Sequence, residues 1–148
     1  MDGLFKRDPG TFVLAFAAWA AANGISLVLP GDTIQLNPIH KEIKGLGFTD
    51  AWWGLGMILD AAVLLITVGR GALSLRAFAA ITSAPLWFFY GTLLLVGSRE
   101  IGVLSPIGVF DVMGALGLAG AGAQWVYTFA EQAKSREERP AVEDEPWT

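Results

Sequence analysis

Two aspartates, Asp60 and Asp111, are the only acidic or basic side chains inside four long apolar stretches between Thr11 and Ala130. A carboxyl group near the middle of a bilayer costs about 2.5–3.5 kcal/mol on insertion scales, so it must face protein, water or another charge. No Lys or Arg lies within the stretches to pair with either one. The chemistry open to them is therefore narrow: hydrogen bonding to a polar neighbour, or handling of a proton or cation. Asn23, Thr82 and Ser83 are the polar neighbours on offer. In the structural reading each carboxyl group bonds one of these. In the alternative, Asp60 and Asp111 face each other and form part of an ion or proton pathway.

Little else in the chain can do chemistry. There is no cysteine and a single histidine, His40. Thiolate nucleophiles and thiolate metal sites are excluded outright, and histidine–carboxylate metal sites normally need more than one such ligand. No nucleophile–histidine arrangement is present, and the motifs that flank intramembrane aspartyl hydrolases are missing. Neither an enzyme, a cofactor nor a metal is expected. No basic patch is dense enough to suggest nucleic acid.

The elements that must position the aspartates follow from composition and run length. The chain is 53% hydrophobic and only 16% charged, against roughly 25% charged in soluble domains. Lipid, not water, must cover such a surface. A spanning helix needs about 20 mostly apolar residues, and four candidates fit: residues 11–29, 51–69, 77–96 and 105–130. Membrane strands would alternate in segments of about ten residues, whereas these runs are continuous. The expected fold is all-α: a polytopic bundle of four transmembrane helices. Pro30-Gly31-Asp32 stops the first span, which is full length and so reads as a span, not a cleaved signal. Thr49 and Asp50 are N-cap residues for the second. Ser105-Pro106 opens the fourth with a cap and a first-turn proline.

Counted along the spans, Asp60 lies nine residues into the second, and Asp111 six residues, or about 9 Å, beyond Ser105. Spans two and four begin on the same side, so the carboxyl groups are expected at similar depth. The first loop, residues 30–50, contains Asn37-Pro38 as a helix start, and Ile39, Ile43 and Leu46 at helical spacing. This predicts a short interfacial helix with its aliphatic side in lipid. Residues 131–148 carry six acidic and three basic residues out of a net charge of −4, and are expected to form a disordered tail. Seven of ten basic residues fall on the side of the termini and the second loop, which places both termini in the cytoplasm. No internal repeat is evident.

Span four carries a packing code. Ala115, Ala119 and Ala123 recur every four residues, as do Gly117 and Ala121. Small residues at this spacing let helices approach closely, within one bundle or between copies. Trp52, Trp53, Trp125 and Tyr127 fit aromatic belts at the span ends. Pro85 should kink span three, and Trp87-Phe88-Phe89-Tyr90 after it reads as a bulky lipid-facing block, with an aromatic cage as the lesser alternative.

The runs Leu29-Pro30-Gly31-Asp32-Thr33, Trp53-Gly54-Leu55 and Ser105-Pro106-Ile107 resemble those of small four-helix membrane proteins encoded by bacteriophages and prophages. The likeness covers residues 11–128. Some such proteins are called holin-like, which implies a bacterial inner-membrane location and a role in lysis. The expected function is thus non-enzymatic, self-associating permeabilisation of the lipid bilayer. The alternatives are a small ion or proton channel using Asp60 and Asp111, and an accessory or structural subunit with a membrane-protein partner or in a virion.

Overall fold

The computed structural model describes residues 8–29, 40, 43, 45–100, 102 and 104–137. Among these, four helices and no strand are present: α1 Gly10–Val28, α2 Asp50–Arg70, α3 Leu73–Glu100 and α4 Pro106–Glu137. All four are long and apolar enough to cross a membrane. The chain is a multi-pass membrane protein, as its composition requires. Phe78, Leu59 and Met113 are more than 60% exposed, a surface that only lipid can cover at acceptable cost.

Local chemistry fixes the ends. Ser105 caps α4, its Oγ accepting from the Gly108 N–H at 3.1 Å, with Pro106 in the first turn as its missing donor allows. Thr49 stands at the N-cap of α2 without a side-chain bond. The α2–α3 turn is Gly71-Ala72 alone, and Gly71 has φ +82°, the left-handed conformation that ends a helix most cheaply at glycine. α3 therefore begins at Leu73, not at residue 77. Pro85 lies inside α3 without ending it.

α4 continues to Glu137, so residues 131–137 are helical and do not belong to a disordered tail. Its 32 residues span about 48 Å, well beyond a hydrocarbon core of about 30 Å. Outside the core, Glu131, Gln132, Lys134 and Arg136 are good helix formers, and the two cations sit in the last turn, where they complement the helix dipole. The remainder of the expected tail, and most of the expected interfacial helix, lie outside the described residues. Ile43, which that helix was expected to place in lipid, is instead fully buried.

The helices form two hairpins, α1–α2 and α3–α4. Within each, glycines bring the backbones together. A Cβ on Gly24 would lie 2.6 Å from the carbonyl oxygen of Gly54, and one on Gly54 would lie 2.5 Å from that of Gly24. In the second hairpin, Gly91 and Gly108 stand in the same reciprocal relation at 2.9 Å. Between the hairpins, rings fill the space. Phe16 of α1 packs edge-on to Trp87 of α3, centroids 5.1 Å apart, and stacks with Phe110 of α4. Gly114 and Gly117 leave room on α4 for the rings of Phe16 and Phe12.

Candidate functional site

The two aspartates sit on the second helix of each hairpin, and each reaches the first helix of the other. Asp60, on α2, accepts from Ser83 Oγ at 2.5 Å and from Trp87 Nε1 at 2.7 Å, both on α3. Asp111, on α4, accepts from Trp19 Nε1 of α1 at 3.1 Å. The hairpins thus share one arrangement: an indole donor on the first helix, a carboxyl acceptor on the second, and a pair of clasps where they meet. Glycine makes the second clasp possible. A Cβ on Gly91 would lie 2.9 Å from that of Asp111, so the bare glycine gives the aspartate its place between α3 and α4.

The clasps differ in environment. Asp60 is half-buried and both its oxygens are bonded. Asp111 is 0% exposed, and its Oδ2 has no hydrogen-bond partner. Among the described residues no hydrogen bond joins the two carboxyl groups. Asp60 turns to α3 and Asp111 to α1, and the rings of Phe16, Trp87 and Phe110 pack between the hairpins.

Of the three polar neighbours expected from sequence, only Ser83 meets an aspartate. Asn23 Nδ2 donates to the Trp19 carbonyl oxygen at 3.0 Å, and Thr82 Oγ1 to the Phe78 and Ala79 carbonyls. Each has turned back on its own helix, an option always within reach of a short polar side chain. The partners missed were the tryptophans. A buried indole N–H usually finds an acceptor, and Trp19 and Trp87 lie well inside their spans, away from the ends where aromatic belts form. That position was the available signal.

A third indole–carboxyl bond closes the end of the bundle that holds the chain termini. Trp125 Nε1 donates to Asp8 Oδ1 at 3.1 Å, as does the Gly10 N–H at 3.0 Å. Arg76, at the start of α3, approaches Asp8 Oδ2 at 3.5 Å and lies 5.9 Å from the centre of the Trp125 ring. Trp125 is accordingly buried and belongs to no belt, whereas Tyr127 and Trp52 are exposed as expected. The Trp87-Phe88-Phe89-Tyr90 block likewise divides. Phe88 and Phe89 are exposed, while Trp87 and Tyr90 are buried, the turn of the helix carrying neighbours to opposite faces.

The small residues of α4 divide too. Ala115 and Ala121 are buried in the bundle, with Gly117 half-buried. Ala119 and Ala123 are exposed, and beside them Gly120 has open space where a Cβ would stand. Compared with protein-family models, curated proteins and solved structures, the chain matches none.

Proposed function

We propose that this protein acts non-enzymatically, by associating with further copies of itself in the plane of the membrane and permeabilising it in the manner of a holin. The observation that carries this reading is the exposed part of the α4 packing code. Ala119, Gly120 and Ala123 lie on the lipid-facing side, beyond what the bundle needs for its own packing, and small residues at such spacing permit close helix approach. The carboxyl groups support it by elimination. Both are bonded to indoles that tie the hairpins together, an arrangement suited to fixing structure more than to relaying ions. The excess of basic residues near the termini favours a cytoplasmic location for both ends in a bacterial inner membrane.

The test is inducible expression in a bacterium with membrane potential followed over time, alongside cross-linking. Because the chain has no cysteine, Ala123→Cys introduces a single reporter. Abrupt, delayed depolarisation together with disulfide-linked dimers, both abolished by Ala119→Leu, is the expected result. A steady potential with Ala123→Cys monomeric in oxidised membranes would remove the proposal.

A further inference from the structure

α2 and α3 leave a two-residue turn at the terminal end and are clasped near the middle of α2, where Asp60 meets Ser83 and Trp87. Past the clasp, toward the other end of the bundle, they no longer fill the space between them. A cavity of about 310 Å³ opens there. Trp87 and Tyr90 form its inner wall, Met57 and Leu86 its flanks, and Trp52 and Phe48 its mouth. The mouth residues are exposed on the lipid-facing surface. Gly56, also on the wall, has nothing within 4 Å of where its Cβ would be.

The lining decides what can enter. No acidic or basic group contributes to it. The Trp87 N–H is already given to Asp60, while the Trp53 N–H is buried without a hydrogen-bond partner and Tyr90 brings a hydroxyl to the same wall. A charged solute, or one needing several hydrogen bonds, would lose more on desolvation than the cavity returns. The volume is at the low end of the roughly 300–1,000 Å³ typical of small-molecule sites, enough for part of one acyl chain and too small for a whole lipid. The mouth at Phe48 and Trp52 lies at the start of α2, at the level of an aromatic belt, and from there the cavity runs inward between the two spans.

The geometry points to a binding site for a single phospholipid acyl chain, inserted between α2 and α3 with its headgroup left outside near Trp52. The Asp60 clasp is then a positioning device: it fixes the Trp87 ring that forms the inner wall. This site is independent of self-association through α4, and either can fail without the other.

The full-length protein, reconstituted in phosphatidylethanolamine–phosphatidylglycerol vesicles doped with a phosphatidylcholine bearing a photoactivatable group in its acyl chain, provides the test. Adducts are mapped by mass spectrometry. The expected result is labelling of Met57, Trp87 and Tyr90, all buried from the outer surface, alongside the exposed Leu59 and Phe78. Gly56→Leu, which places a side chain in the open cavity, should reduce labelling of the buried three several-fold and leave Leu59 and Phe78 unchanged. Leu86→Trp fills the cavity from the opposite wall and gives the same reading should Gly56→Leu not fold. Adducts confined to Leu59 and Phe78, or buried adducts that survive the filling substitution, would overturn the proposal. So would a stoichiometric polyprenol in place of phospholipid in extracts of the purified protein.

Discussion

Within each hairpin the helices meet backbone to backbone at glycine; between the hairpins they are held apart by aromatic rings and joined through carboxyl groups. The contrast shows two ways of making a seam where lipid is as apolar as the protein. With no hydrophobic gain on helix association, packing and interhelical hydrogen bonds must supply the attraction. Gly24 against Gly54, and Gly91 against Gly108, use the first. Asp60 with Trp87, and Asp111 with Trp19, use the second, where each bond is worth about 0.6 kcal/mol on average and at most about 1.7. The glycine seams admit no side chain; the clasped seams leave enough room for a cavity.

The largest effect should come from breaking a glycine seam. Gly24→Leu would drive a side chain into the Gly54 carbonyl and Ile58, and overpacking of this kind costs roughly 3 kcal/mol or more. Loss of folded protein in detergent melts, with abundance falling in membranes, is the expected outcome. A melt within a degree of wild type would show that the hairpin tolerates separation of its helices.

Next come the clasps, which sharpen the comparison because the less buried aspartate should matter more. Asp60→Leu strands the Trp87 donor, on a residue only 1% exposed, and an unsatisfied buried donor costs about 1–3 kcal/mol. Asp111→Leu strands only the half-buried Trp19 and removes an oxygen that had no partner. Its cost should be the smaller, about 1 kcal/mol or less. Chemical or thermal melts of the two variants side by side decide this. A reversed order would mean that the buried Asp111 carries an interaction beyond the Trp19 bond.

A smaller, pH-dependent effect is expected where His40 and Ile43 are buried. Burial lowers the pKa of His40 below its usual 6.5, with Asp50 opposing the shift. A depressed pKa means that the unfolded chain binds the proton more readily. The contribution of the neutral ring is thus present above pH 6.5 and lost as pH falls through the lowered value. Protection of amides near Ile43, taken relative to the intrinsic exchange rate at each pH, should fall on acidification in wild type and lose that pH dependence in His40→Gln.

Ala119→Leu should have the smallest effect on stability, within about 0.5 kcal/mol, because it adds bulk to an exposed position. An unchanged melt combined with lost cross-linking would separate self-association from folding. A destabilised melt would place Ala119 in the bundle's own packing.

Much of this was legible from residue types. Continuous apolar runs can satisfy their backbones only as helices in lipid, so the four spans and their order follow from length and from the Pro30-Gly31 and Ser105-Pro106 punctuation. The entry at Ser105-Pro106 was readable because a cap is a local bond. The far end of α4 departs from the disordered tail that its charge suggests, because Glu131, Gln132, Lys134 and Arg136 are good helix formers that continue the span.

The sequence by itself determined a four-helix membrane protein with two aspartates that had to find partners, since both facts depend on burial cost and chain-local geometry. Only the tertiary structure decided who those partners are. Trp19 is 92 positions from Asp111 and Trp87 is 27 from Asp60, distances over which no periodicity speaks. It also decided which half of the α4 small-residue code faces inward, and that α2 and α3 part beyond their clasp. The helical period gives spacing on a face but not which face meets a neighbour, and that choice was made when two hairpins, each sealed by glycine, closed on one another through their rings and carboxyl groups.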